Sequence, residues 1–118
     1  MLNNATGFVQ VVLITGYSDL RKGIDGLAGL IRHKYQMDPF RKDVLYLFCG
    51  RSASRIKGLV WEGDGFLLLV KRLEGSGRFQ WPRHLEEAMA LTQEQFDWLM
   101  QGLSPVARIN PIKQKLTI

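Results

Sequence analysis

A single cysteine, Cys49, stands in this chain of 118 residues, which excludes an internal disulfide and a zinc site built from cysteines alone. No apolar run approaches the roughly 18–20 residues that a membrane-spanning helix needs. The N-terminus has no basic region followed by an apolar stretch and a small-residue cleavage site, so we expect no secretion signal. These absences favour a cytoplasmic location and no membrane partner.

The sequence motifs of common enzymes are also missing. The glycine-rich segments lack the Gly-Lys-Ser/Thr ending of a phosphate-binding loop. His33 and His84 have no partner at metal-ligand spacing. Asp19 and Asp25 are separated by about 240° around a helix, so their carboxylates do not converge on a metal ion. Cys49 has no histidine near it in sequence, which favours an inert buried thiol over a nucleophile. We therefore expect no enzymatic activity, no metal and no cofactor.

The positive charge is concentrated in the middle of the chain. The net charge is +5, and residues 41–83 carry nine Lys or Arg against four Asp or Glu. Residues 1–40 carry four against three, and residues 84–118 carry three against four. A basic face of this kind suggests a polyanionic partner such as a nucleic acid. The alternative is a protein with a basic isoelectric point and no such partner.

Hydrophobic periodicity predicts an α+β fold. β-branched and apolar runs predict strands at 8–15, 44–49, 56–61 and 66–73, with a further strand at 78–81. Apolar residues from Leu20 to Tyr35 recur at helical spacing, after a turn in which Ser18 or Asp19 is expected to cap the helix. Thr92 and Gln95 predict a capping box for a second helix. We expect one domain (1–103) with a mainly antiparallel sheet of four or five strands, one helix after the first strand and one C-terminal helix. Residues 104–118 are expected to form a basic, flexible C-terminal tail.

Strand alternation predicts which side chains share a face of the sheet. An even turn at 62–65 places Arg55, Lys57 and Trp61 on the face of Phe66 and Arg72. A four-residue turn at 74–77 would add Phe79 and Trp81 to that face. Both faces of the sheet are apolar near their centres, so each must be covered by a helix or by a second subunit. A homo-oligomer is therefore one possible arrangement. Rings on a covered face are core, whereas exposed rings flanked by cations stack on bases. Core is the favoured interpretation for Trp61, Phe66, Phe79 and Trp81.

Cations at the strand ends are candidate phosphate contacts, because Lys and Arg are rarely buried without a partner. The nucleic-acid-binding candidates are Arg51, Arg55, Lys57, Lys71, Arg72 and Arg78, with Arg21 and Lys22 in second place. The alternative for each of them is an ordinary solvated side chain. For the last two, we favour pairing with Asp19 or Asp25 in a turn over contact with DNA.

Several short motifs, in this order and spacing, resemble the TnpB-type accessory proteins (the second-open-reading-frame products) of insertion-sequence-66-like bacterial transposable elements. They are Thr15-Gly-x-x-Asp19-x-Arg21-Lys22-x-x-Asp25-Gly26-Leu27, Asp38-Pro39-Phe40, Leu47-Phe48-Cys49, Arg51-x-x-x-Arg55-x-Lys57, Trp61-x-Gly63-x-Gly65-Phe66, Lys71-Arg72-Leu73-Glu74, Gly77-Arg78-Phe79-x-Trp81-Pro82 and Leu91-Thr92-x-x-Gln95. The resemblance covers roughly residues 9–103. One departure is Gly58, which stands where the family tends to place a larger apolar residue and predicts a bulge or a close approach.

The resemblance implies a small non-catalytic protein that is encoded beside a separate transposase and assists transposition. Its expected partners are DNA at the element ends, through phosphate contacts, and the transposase of the same element. Its expected location is the bacterial cytoplasm, in association with the nucleoid. The alternative function is a protein-interaction module that binds the transposase without touching DNA, for which the acidic segment 84–97 and the apolar Trp98 are suited.

Overall fold

The computed structural model describes residue 8, residues 10–83 and residues 85–106. The described elements, in chain order, are β1 (Gln10–Ile14), α1 (Ile24–His33), β2 (Val44–Cys49), β3 (Arg55–Trp61), β4 (Phe66–Arg72), β5 (Ala88–Leu91) and α2 (Gln93–Met100). The strands form one sheet in the order β4-β3-β2-β1-β5. Only β1 and β2 run parallel among these pairs, and the others are antiparallel. The predicted α+β fold, with its mainly antiparallel sheet and two helices, is therefore confirmed.

Each face of the sheet is covered by one helix. On what we call the α1 face, Leu27 and Ile31 of α1 pack in a cluster with inward side chains such as Tyr46 and Phe48. On the α2 face, a second cluster includes the side chain of Phe96 from α2. The central strand β2 is buried at every position, as expected of a strand with cover on both sides. The core thus has two layers, and each layer joins one face of the sheet to one helix.

The first helix starts later than its apolar pattern predicts. Helix α1 begins at Ile24, and Gly23 occupies its N-cap position without a side-chain hydrogen bond. The Asp19 carboxylate instead accepts hydrogen bonds from the backbone and guanidinium N–H groups of Arg21. The backbone N–H of Ser18 donates to the carbonyl of Cys49 at 2.8 Å. Both proposed capping residues are therefore held in the loop after β1, and the predicted cap at Ser18 or Asp19 is wrong.

The hairpin between β3 and β4 has the predicted register. Trp61 lies opposite Phe66, and Arg55 lies opposite Arg72, with no residue inserted between them. The turn closes where the backbone N–H of Glu62 donates to the carbonyl of Gly65 at 2.9 Å. The continuous register also excludes a bulge at Gly58. A Cβ atom built on that glycine would lie 3.0 Å from Leu45 Cδ1, so close approach is the correct alternative.

The predicted strand at 78–81 is wrong, and so is the face assigned to its two rings. Residues 73–83 form no strand, and Phe79 and Trp81 are buried in the cluster on the α2 face. Residues 78–81 do not continue as a strand beside β4, because their hydrogen-bond partners lie in other parts of the chain. The backbone N–H of Phe79 donates to Ala53 O at 2.7 Å, and the indole N–H of Trp81 donates to Ile14 O at 2.9 Å.

The fifth strand lies at Ala88–Leu91, where no strand was predicted, and pairs with β1. Helix α2 follows it with both reciprocal bonds of the predicted Thr92 and Gln95 capping box. Of the predicted tail, residues 107–118 lie outside the described residues, and Pro105 is buried. The division into a domain and a tail therefore stays a prediction. Within the described parts of the chain, no helix is long and apolar enough to cross a membrane.

Candidate nucleic-acid interface

A cleft opens where the two parallel strands end. Because β1 and β2 are parallel neighbours, their carboxyl ends lie at the same edge of the sheet, and the loops that follow them meet there. Such edges are common ligand sites in open sheets with parallel strands. The cleft has a volume of about 660 Å³ and is lined by Tyr17, Ser18, Asp19, Leu20, Arg21, Gly50, Arg51 and Arg55.

Small residues allow the loops around the cleft to approach each other. Gly16 has a φ of +77°, a conformation that favours glycine, and a Cβ atom there would lie 2.9 Å from Glu86 Cγ. A Cβ atom on Gly50 would lie 3.3 Å from the Leu20 side chain. The segments beside the cleft therefore pack closely, and both glycines have little space for a side chain.

The guanidinium of Arg83 joins both loops. Its Nη1 donates to the Gly16 carbonyl at 2.7 Å, and its Nη2 donates to the Arg51 carbonyl at 3.5 Å. Its central carbon lies 4.3 Å from the centre of the Tyr17 ring, and that of Arg51 lies 5.9 Å from the same centre. The Tyr17 ring is 56% exposed. An exposed aromatic ring thus lies within cation–π distance of two arginines.

Arg21 and Asp19 form an ion pair at the cleft, with Nε and Oδ1 3.0 Å apart. Hydrogen bonds from the Arg21 side chain lower the pKa of the Asp19 carboxyl to about 2, so it is ionised at neutral pH. This is the pairing that we favoured for Arg21 from the sequence. The Arg21 side chain is 92% exposed, and solvent screens exposed ion pairs so strongly that they contribute little to stability. The guanidinium can therefore reach another anion at little energetic cost.

More cations continue from the cleft along the α1 face. Arg55 and Arg72 are direct neighbours across the β3–β4 ladder, which confirms that alternation brings them together with Lys57. Lys57 Nζ donates to the backbone carbonyl of Lys22 at 3.1 Å, so both lysines lie at this end of the sheet. Arg72 also pairs with Glu74 at 3.0 Å. We call this set the basic surface: Arg21, Lys22, Arg51, Arg55, Lys57, Arg72 and Arg83.

Comparison with known proteins identifies the family. A family model described as IS66 Orf2 like protein matches residues 9–109. The chain belongs to this family. It is similar to two proteins of Sinorhizobium fredii that carry only the names uncharacterized protein y4hO and uncharacterized protein y4jC. The first is 35% identical over 95 residues, which cover 80% of this chain and 81% of that protein. The second is 30% identical over 95 residues, which cover 80% of each chain.

No solved structure matches the chain. Membership confirms the resemblance to insertion-sequence-66 accessory proteins and suggests an accessory role in transposition. The family is not known as one of enzymes.

Two predicted site residues of this IS66 Orf2-like protein are not part of the basic surface. Lys71 is opposite Ile56 in the β3–β4 ladder, and the Ile56 side chain belongs to the cluster on the α2 face. Arg78 is exposed in the segment after β4, where its Nη1 donates to the Gly77 carbonyl at 2.7 Å. The other six predicted residues belong to the basic surface, and Lys71 lies on the opposite face of the sheet from Arg55 and Arg72.

Tyr17 and Arg83 were not predicted as site residues. Arg83 follows the strand-like Gln80-Trp81-Pro82 segment, and its contacts with Gly16 and Tyr17 join positions more than sixty residues apart. No local pattern predicts such a contact. Tyr17 had a weak signal, since a large aromatic side chain in a Gly-x-Ser-Asp turn is poorly placed for a core.

Cysteine and metal-ligand side chains are the groups that we considered for catalysis. Burial raises the pKa of the Cys49 thiol to about 11, against the opposing influence of Arg83. A thiol with that pKa is protonated and a poor nucleophile at neutral pH. Within the described ranges, no group of three or more His, Cys, Asp or Glu side chains is placed to hold a metal ion. His84 lies outside the described residues.

Three further aromatic side chains form a separate cluster at the far end of the hairpin. The rings of Phe40, Trp61 and Phe66 have centre-to-centre distances of 4.9 to 5.2 Å. Phe40 is 47% exposed, and the other two are partly buried. The question of core or surface thus has two answers: Phe79 and Trp81 are core, whereas Trp61 and Phe66 lie at the margin of the α1 face.

Proposed function

We propose that this protein is a non-catalytic accessory protein of transposition that binds DNA through phosphate contacts made by the basic surface. The observation that carries the proposal is the convergence of arginines from separate segments on one cleft. Arg21 comes from the loop after β1, Arg51 from the loop after β2, and Arg55 from the start of β3. Arg83, from the segment before β5, donates to backbone carbonyls in both loops. The rest of the basic surface extends the same charge along the hairpin.

The geometry suits contact with the DNA backbone better than reading of bases. The guanidinium groups are spread over two loops and a hairpin, and among the described residues no member of the basic surface belongs to a helix that could enter a groove. Arginine donates in a planar fork that matches phosphate oxygens. Contacts of this kind position a protein on DNA and carry little sequence information. We therefore propose binding that depends strongly on salt and weakly on sequence, and a location at the nucleoid in the bacterial cytoplasm.

The direct test is fluorescence anisotropy with a labelled duplex from the ends of an insertion-sequence-66-class element, at several salt concentrations. The double variant Arg51→Ala, Arg55→Ala should reduce the slope of log affinity against log salt by about 2, because each lost phosphate contact lowers it by about 1. An unrelated duplex of equal length should be affected alike. No binding of the wild-type protein to either duplex at low salt would overturn the proposal.

The matched control is the double variant Arg32→Ala, Arg41→Ala. It removes the same charge from two exposed arginines outside the cleft, so it separates local contact from overall charge. A second comparison pairs Arg72→Ala with the double variant Lys71→Ala, Arg78→Ala. Since the latter two residues are not part of the basic surface, their loss should leave the affinity closer to that of wild type. Equal losses from all these variants would mean that net charge alone drives binding.

Binding to the transposase is the second candidate function. Helix α2 exposes Glu94 and part of Trp98, and no basic residue stands in its last turn. This acidic surface is suited to a protein partner and not to DNA. Co-purification with the element's transposase after nuclease treatment tests it. Retention that is lost in Trp98→Ala and kept in Arg51→Ala, Arg55→Ala would support a protein contact made without DNA.

A further inference from the structure

Strand β4 is an edge strand with an apolar sequence. It lies at the end of the sheet order, and no described strand pairs with its outer side. Its seven residues begin with Phe-Leu-Leu-Leu-Val, and none is fully buried. Val70 is 57% exposed. The opposite edge strand, β5, has four residues. Long apolar edges are sites of pairing with another chain, and proteins usually keep exposed edges short or charged.

The hydrogen bonds at both ends of the hairpin show which residues face outward. The N–H of Glu62 donates to Gly65 O at 2.9 Å, and the N–H of Leu73 donates to Ser54 O at 2.7 Å. In an antiparallel ladder, residues that bond to the partner strand alternate with residues that do not. Gly65 and Leu73 bond inward, so the other odd-numbered residues of β4 also do. The backbone groups that point away from β3 are those of Phe66, Leu68, Val70 and Arg72.

We propose that two copies of this chain pair antiparallel through their β4 edges, about a two-fold axis that passes through Leu69. In this register Phe66 of one copy lies opposite Arg72 of the other, and Leu68 lies opposite Val70. All outward-facing residues then exchange backbone hydrogen bonds with each other. A shift by two residues in either direction would leave outward-facing residues beyond the end of the partner strand.

The side chains of β4 are complementary in the same register. The Arg72 guanidinium meets the aromatic Phe66 of the other copy, a cation–π pairing. Val70, exposed in one copy, meets Leu68 of the other. On the α2 face, Lys71 meets Leu67, and the two Leu69 side chains meet on the axis. No two like charges are opposed. Parallel pairing in register would instead place Arg72 against Arg72, and for this reason we assign the edge to an antiparallel second copy.

The dimer would join two five-stranded sheets and keep both α1 faces on the same side, because the axis is perpendicular to the sheet. Both basic surfaces would then lie on that side. The proposal does not depend on DNA binding, since it is tested on the protein alone. Failure of dimerisation would leave the proposed DNA contacts of a single copy intact.

Disulfide trapping tests the register. Leu69 of both copies would form a pair without hydrogen bonds, with Cα atoms about 4.5 Å apart, within disulfide range. Leu69→Cys should therefore form a covalent dimer with the thiol oxidant diamide. Leu67→Cys is the matched control, because its two copies would lie about 13 Å apart along the strands. The native Cys49 is fully buried and does not compete. No covalent dimer, or equal yields from both variants, would overturn the proposed register.

Sedimentation equilibrium tests the pairing without oxidation. The wild-type protein should approach twice its chain mass of 13.5 kDa as concentration rises. Val70→Pro removes an outward-facing N–H and keeps the bonds to β3. It should raise the dimer dissociation constant about tenfold or more, since two symmetry-related hydrogen bonds are lost. Val70→Thr keeps the N–H and should change it little. A wild-type monomer at every concentration would overturn the proposal.

Discussion

The guanidinium of Arg83 lies on the ring of Tyr17 and donates a hydrogen bond to the carbonyl of Gly16, the residue before that tyrosine. One side chain therefore fixes the turn after β1 and holds a positive charge at the cleft. The backbone N–H of Gly16 also donates to the carbonyl of Pro82, the residue before Arg83, at 2.9 Å. The shape of the cleft thus depends on a segment that is remote in sequence from both loops that line it.

Replacing Arg83 by lysine should destabilise the protein even though the charge is kept. The lysine cannot reproduce the planar contact with Tyr17 or donate in the same fork. We expect the free energy of unfolding in urea to fall by about 1.5–3 kcal/mol, the size of a lost hydrogen bond to a charged donor. Tyr17→Phe is the control, since it keeps the ring and should change stability by less than about 0.5 kcal/mol. Equal stability of Arg83→Lys and wild type would contradict this role.

The Thr15 hydroxyl should be essential to the junction between β1 and β5. Thr15 is fully buried, its hydroxyl donates to Leu85 O, and it accepts from the Glu87 N–H at 2.8 Å. Thr15→Val removes both bonds from a buried site and should lower the unfolding free energy by about 1–3 kcal/mol. Thr15→Ser keeps the hydroxyl and loses one methyl group, which costs about 0.8 kcal/mol. If urea unfolding shows that Thr15→Ser is less stable than Thr15→Val, packing and not hydrogen bonding dominates at this site.

Local sequence patterns predicted the elements whose partners are near in the chain. The Glu62–Gly65 turn sets the β3–β4 register, and so the shared face of Arg55 and Arg72 followed from counting residues. The capping box of α2 is likewise contained within four residues. In both cases the interacting groups are joined by a short segment, so few alternative arrangements exist.

The wrong predictions fall where a distant partner decides the outcome. Asp19 has the chemistry of a helix cap, but Arg21 takes up its carboxylate. Phe79 and Trp81 alternate like a strand, but the hydrogen bond to Ile14 places Trp81 under the other face. The cleft itself was not predicted, because it depends on the parallel pairing of β1 with β2 and on Arg83.

Gly58 should resist enlargement, because its neighbours leave little space for a Cβ atom. A Cβ atom would lie 3.0 Å from the fully buried Leu45 side chain and 3.5 Å from Leu47. Gly58→Val should therefore overpack the α2 face and lower stability by about 1–3 kcal/mol. Gly65→Ala is the matched change at a glycine with open space around it and should shift stability by less than about 0.5 kcal/mol. Thermal denaturation of both variants checks the contrast, and a stabilised Gly58→Val would show that Leu45 can move aside.

The Cys49 thiol should make the protein sensitive to alkaline pH. Burial raises its pKa from 9.0 to about 11 in the folded state, so the unfolded chain loses the proton first. The stabilising contribution is complete below pH 9 and is lost as the pH rises towards 11, because deprotonation favours the unfolded state. We expect the unfolding free energy of the wild-type protein to fall more steeply over this range than that of Cys49→Ala. Buried Tyr46, whose pKa is also raised by burial, contributes in the same direction and is common to both proteins.

Alkylation of Cys49 by iodoacetamide at pH 8 gives a second readout: it should be slow in the folded protein and fast in urea. Rapid alkylation of the folded protein would show that the thiol is accessible from the cleft and that its pKa is not raised.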